Sequence, residues 1–229
     1  MKKSFLYLVC VFFTFSSFAQ TEEKRTFAEL KKLVIKGNFD VILEASDVNF
    51  VQFKSETNIT SDKILTSVKN DELSVSINDK VKPNKLGKVV LIVGYKKLKA
   101  LEIEDFASLT VKDKLDLDEL DLAFGGNTQS VLDGKIKNLK VKIKDKASLK
   151  ISGECKNFEI EGKEDAFLTA TEFVCEAVKI SVKGKGSYLI NAVKDLNASM
   201  NGEGEIVYKG QPKKMKIDTK GGGVIKPLQ

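Results

Sequence analysis

From Lys99 onward, apolar and polar residues alternate in short bursts that recur at a nearly fixed spacing. Leu139, Val141 and Ile143 are separated by Lys140 and Lys142. The alternation returns at Phe158 and Ile160, at Val178, Ile180 and Val182, at Leu196, Ala198 and Met200, and at Met215 and Ile217. Period-two alternation marks a strand with one buried face. The units open at Lys99, Leu120, Leu139, Phe158, Val178, Leu196 and Met215, at spacings of 21, 19, 19, 20, 18 and 19 residues. Their first thirteen positions align without a gap, and all length variation falls after them.

Two further columns complete the unit. A turn column holds Asp105, Gly126, Asp145, Glu164, Gly184, Gly202 and Gly221, residue types dominated by those that tolerate a turn's backbone angles. Two positions later comes a column of small residues: Ala107, Thr128, Ala147, Ala166, Gly186, Gly204 and Gly223. A second strand follows, with apolar pairs such as Leu149 and Ile151 or Tyr188 and Ile190. Each unit thus reads as strand, tight turn, strand, looser turn. A unit of about 19 residues cannot bury its own apolar face, but stacked units can, as a β-solenoid. Parallel stacking at about 4.8 Å per coil makes the repeat region about 30 Å long. An antiparallel sandwich gives no reason for gap-free columns.

The stretch before the repeats is strand-rich but less regular. The run from Leu33 to Ala45 alternates on both sides of Gly37-Asn38, a turn or hairpin signal. "VNFVQFKSE" and "ELSVSIND" read as strands, and "VVLIVGY" as a fully buried one. Residues 57–70 read as a short helix or loop. The predicted organisation is a leader at 1–19, an N-terminal β cap at 20–97 and the solenoid at 98–229, cap and solenoid forming one domain.

The leader rests on Lys2 and Lys3, the apolar run Phe5 to Phe15, and small residues at Ser17 and Ala19, which predict cleavage before Gln20. The apolar run is too short to span a bilayer, and no other stretch in the chain approaches a transmembrane segment. Export predicts the periplasm, the outer-membrane surface or the extracellular space. Cleavage lowers the net charge from +6 to +4 by removing Lys2 and Lys3. It also removes Cys10, leaving Cys155 and Cys175.

Composition now excludes several chemistries. The 229 residues contain no histidine and no tryptophan, and Arg25 is the only arginine. Histidine-dependent triads and histidine metal sites are ruled out. Lys and Glu alternate rather than forming a basic block, which argues against nucleic acid as a partner.

The N-terminal residues then point to a family. Phe27, Leu30 and the run Leu33 to Leu43 precede paired β segments, "KKLKALEIEDFASLTV" at 96–111, the repeated turns, and the Gly-rich "KGGGVIKP" at 220–227. This pattern resembles the Bacteroidetes family called putative auto-transporter adhesin, head GIN domain, over roughly residues 27–228. The resemblance implies an all-β fold, a right-handed parallel β-helix, with export to the cell envelope and no assigned biochemical activity. Nothing after the repeats up to Gln229 reads as a membrane barrel, which argues against self-export.

Candidate chemistry is sparse. Cys155 and Cys175 each stand three residues before the next unit, so they occupy one position in adjacent coils. That spacing admits either a disulfide or two stacked thiols. Asp113, Asp116, Asp118, Glu119 and Asp121 suggest calcium, but interleaved leucines and the lack of a turn glycine favour a solvated strand face. The acidic residues Glu102, Glu104 and Asp105 lie among lysines rather than as an isolated pair. Phe106 and Phe167 fall at outward or turn positions and are candidate contacts for a sugar or a partner. The sequence therefore predicts no catalytic residue, metal or cofactor. It predicts a non-enzymatic, adhesin-like or structural envelope module whose partner is another envelope protein or a glycan. A polysaccharide-binding or polysaccharide-cleaving periplasmic β-helix is the alternative.

Overall fold

The computed structural model describes residues 21–55, 63–77 and 89–229. The predicted leader lies outside them. The described residues form seventeen strands and no α-helix. Before the repeats come β1 (Thr21–Phe27), β2 (Lys32–Gly37), β3 (Phe39–Ala45), β4 (Asn49–Ser55), β5 (Ile64–Lys69), β6 (Glu72–Ile77) and β7 (Val89–Tyr95). The repeats supply β8 (Ala100–Asp105), β9 (Ser108–Val111), β10 (Leu115–Phe124), β11 (Gln129–Ile143), β12 (Ser148–Glu164), β13 (Phe167–Gly184) and β14 (Ser187–Gly202). They end in β15 (Glu205–Lys209), β16 (Lys214–Lys220) and β17 (Val224–Pro227).

The repeats stack in parallel register as a β-solenoid. Leu120, Leu139, Phe158, Val178, Leu196 and Met215 are successive register partners. Leu109, Ser130, Leu149, Leu168, Tyr188, Ile206 and Ile225 form the matching column of the second strand. Nearly all these side chains point inward and are buried. Phe158 and Phe173 meet edge to face, with centroids 5.4 Å apart, inside the stack. Tyr188 is fully buried against Gly162 and Gly186, where a Cβ would collide with its ring or hydroxyl.

The looser turn expected after the second strand is instead a third parallel ladder. Leu117, Ile136, Cys155 and Cys175 are successive partners, and Cys175 pairs on with Ala192. Strands β11 to β14 are therefore 15 to 18 residues long and bend through corners without breaking. Gly153 makes one corner possible: its φ is 112°, and a Cβ there would lie 1.9 Å from the Gly134 carbonyl oxygen. The extra residue of the 20-residue unit is taken up by a register shift opposite Lys150–Ser152. Thr171 falls in that shift, and its carbonyl accepts a hydrogen bond from Asn191 Nδ2 at 2.9 Å.

The ladders continue upstream of residue 98. Gly37-Asn38 does not close a hairpin. It is the corner of a coil whose two arms, β2 and β3, lie parallel to β8 and β9 on one side and to β6 and β7 on the other. Only β1, β4 and β5 run antiparallel, closing this end of the stack. The helix or loop expected at 57–70 is a strand from Ile64 to Lys69. It pairs with β6 through a hairpin whose residues Asn70 and Asp71 have φ of 51° and 61°, the angles a tight primed turn needs. Residues 57–62 of that expectation lie outside the described residues.

Lysine and glutamate link neighbouring coils on the outside. Lys135–Glu154, Lys179–Glu159 and Lys185–Glu203 are 2.9, 2.6 and 2.8 Å apart. The lysine hydrogen bond holds each of these carboxyls below its ordinary value. Such exposed pairs are individually weak, and their weight is in their number.

Three outcomes test this description. Ile143→Asp puts an uncompensated charge into a column position that is 1% exposed. It should cost about 3–5 kcal/mol and abolish the cooperative melting transition, read by circular dichroism. Gly202 has φ of 151°, and a Cβ there would lie 2.1 Å from the Gly184 carbonyl oxygen. Gly202→Ala should therefore destabilise by about 1–3 kcal/mol in urea titration. Because the paired carboxyls are depressed, their stabilisation is complete above their unfolded-state values and is lost on acidification. The melting temperature should hold near neutrality and fall below roughly pH 4.5.

Candidate binding surface

The turn column forms a spine along one corner. Asp105, Gly126, Asp145, Glu164, Gly184, Gly202 and Gly221 all have positive φ, from 57° to 151°. The carbonyls of Gly126, Asp145, Glu164 and Gly184 accept the N–H groups of Lys146, Asp165, Lys185 and Glu203 from the next coil, at 2.9 to 3.0 Å. Asp145 adds a contact by accepting the Gly126 N–H at 2.7 Å. That bond holds the Asp145 carboxyl below its ordinary value, while the hydrogen bond with Asp145 and its charge push Glu164 up. These acids shape a turn, and each perturbation has a structural cause.

Cys155 and Cys175 are register partners in the third ladder, both buried and both free thiols. Cys155 Sγ donates to the Asn157 carbonyl at 3.0 Å, and Cys175 Sγ to the Phe173 carbonyl at 3.4 Å. Burial pushes the Cys175 thiol far up, away from the reactive thiolate.

Phe106 and Phe167 are 45% and 48% exposed. They do not form one patch. Phe167 shares its column with Ser148 and Ser187, whereas Phe106 follows the turn residue Asp105, three coils away. Phe106 borders a groove of about 370 Å3 with Asp145 and Glu164.

Two open grooves among the described residues lie away from Phe106 and Phe167, the contact positions that the sequence marks. One, of about 780 Å3, lies where the third ladder bends into the first strand of each unit. Asn138 and Asn157 stack in its floor, Asn157 Nδ2 donating to Asn138 Oδ1 at 2.7 Å. Lys140, Glu159, Lys179 and Asn197 form the adjoining outward column. A second groove of about 760 Å3 lies along the third ladder and carries Val174 and Val193, which are 45% and 38% exposed. The recurrence of Asn138 and Asn157 at the same position in consecutive units was the available signal for the first groove. The second has none, because in sequence the third ladder reads as a turn.

The acidic residues Asp116, Asp118, Glu119 and Asp121 are exposed, and Glu119 accepts a hydrogen bond from Lys99. Among the described residues, no three acidic or cysteine side chains converge as a metal-binding group. No described helix is long and apolar enough to cross a membrane.

Solved structures share this architecture. A putative adhesin from Bacteroides fragilis matches with a TM-score of 0.78 at 20% identity, covering 91% of this chain and 97% of that one. A putative adhesin from Parabacteroides distasonis gives 0.69 at 18%, covering 91% and 96%. A protein from the same organism described as a putative lipid binding protein gives 0.66 at 15%, covering 91% and 97%. At these identities the likeness is one of fold. No curated protein sequence matches the chain. The family model for the putative auto-transporter adhesin, head GIN domain, matches residues 29–212. That match covers most of the chain's length, and the chain belongs to that adhesin-head family.

Proposed function

We propose that the protein is an exported, non-enzymatic module of the cell envelope that binds a protein or glycan partner through the long faces of its solenoid. The observation that carries this reading is the groove of about 780 Å3 running across successive coils, floored by the Asn138–Asn157 pair and flanked by Lys140, Glu159 and Lys179. Its groups are amides, amines and carboxylates engaged with one another, which suits extended contact with a partner. The carboxyl perturbations at this groove trace to lysine partners, as at Glu119 and Glu159. Membership in an adhesin-head family supports the same reading.

Of the protein and glycan partners, the glycan is the one that the Asn138–Asn157 pair favours. Amide side chains present both donors and acceptors, as sugar hydroxyls require.

The test is protease shaving of intact cells expressing the protein, with lysed cells as control. The protein should be digested in intact cells, and its N-terminus, sequenced beforehand, should begin at Gln20. Protection until lysis would place it in the periplasm and remove adhesion as its role. A turnover screen on acidic polysaccharides should release no product.

A further inference from the structure

The end of the stack formed by β16 and β17 differs from every coil beneath it. Leu196, Ala198 and Met200 of β14 are at most 2% exposed. Their register partners in β16 are Met215, Ile217 and Thr219, of which Met215 and Ile217 are 45% and 44% exposed. All seven residues of β16 are exposed, and among the described residues its ladder partner is β14 alone. One edge of β16 therefore presents unpaired backbone donors and acceptors, with interior-type side chains beside them. The opposite end of the stack carries β1, β4 and β5 as an antiparallel closure.

Charge narrows what can cover this edge. Lys213, Lys214, Lys216, Lys220 and Lys226 surround it, against Asp218. Lys226 is paired with Glu205 of the coil below at 3.1 Å. Lys213, Lys214, Lys216 and Lys220 take part in no ion pair among the described residues. In the body of the stack some outward lysines, such as Lys135 and Lys179, meet glutamates of a neighbouring coil, while others, such as Lys142 and Lys150, do not; the β16 edge is distinct in setting its lysines beside an unpaired strand edge. A lipid surface would accept the lysines and the apolar residues but leave the strand's backbone groups unpaired. A second copy would bring the same lysines against one another.

We propose that β16 is a docking edge for an extended segment of a partner protein in which apolar residues alternate with Asp or Glu, added to the solenoid as its next rung. Backbone hydrogen bonds supply the pairing. Apolar side chains of the segment cover Met215 and Ile217, and its carboxylates meet Lys214, Lys216 and Lys220. β16 serves this role whichever ligand the long faces hold.

The experiment is fluorescence anisotropy of a labelled nine-residue peptide alternating valine and glutamate, titrated with the whole protein. A valine–lysine peptide of the same length is the control. The valine–glutamate peptide should bind, and bind less tightly as salt is added. The control should not bind. N-methylation of alternate peptide nitrogens should abolish binding, which separates edge pairing from adsorption in the groove that Lys214 and Lys216 also border. Reversing both charges with K214E and K216E should weaken binding about tenfold. Asp218→Lys should tighten it and keeps the test decisive if the double variant fails to fold. Equal binding of both peptides, or indifference to N-methylation, would overturn the proposal. So would a dimer of the free protein in sedimentation, or binding to phosphatidylglycerol vesicles without any peptide binding.

Discussion

The structure depends on in-register parallel hydrogen bonding between coils. Once one coil's carbonyls receive the next coil's N–H groups at about 4.8 Å spacing, every position in the unit is tied to its equivalent above and below. An apolar side chain must sit on an apolar side chain, and a left-handed turn residue on another. The seven positive φ values at the turn column are the backbone expression of that rule. The rule even governs its exceptions. One inserted residue, Thr171, cannot be spread along the ladder, so it is confined to a local shift and its carbonyl is taken up by Asn191.

The same rule explains what the sequence disclosed. Inward positions and turn positions are constrained in every coil, so columns such as Leu139–Phe158–Val178 and Gly126–Asp145–Glu164 stand out without any structure. The third ladder is constrained more loosely. Its interior column runs Leu117, Ile136, Cys155, Cys175, Ala192, a series with no common size or shape, and a register shift interrupts it. It therefore read as a turn. The N-terminal coils were hidden for another reason. Alternation marks β2, β3 and β6 as strands and a continuous apolar run marks β7, but nothing local states that they stack out of chain order.

Function is less legible because outward positions escape the rule. A lysine, an asparagine or a serine fits equally well on a solvated face, and the ladder beneath does not change. Residues of the long groove such as Asn138, Lys140 and Glu159 are outward positions of this kind. A shared fold among distant relatives is therefore compatible with different ligands on each. The interior fixes the spacing of the outward side chains and leaves their chemistry open.

The order of the N-terminal coils carries one more consequence. Coil β2–β3 lies between β6–β7 and β8–β9, so the chain places its first complete turn in the middle, covers one side of it, and then returns to the other. Lys32 must find Ala100 across the intervening sequence, whereas later rungs join residues one repeat apart, as Leu139 joins Phe158. Closing the longer loop carries the larger entropic cost, whereas each later coil pairs with the one just before it in sequence. The stack is thus directional: one end is closed by β1, β4 and β5, and at the other each coil is laid on by the residues that follow in the chain.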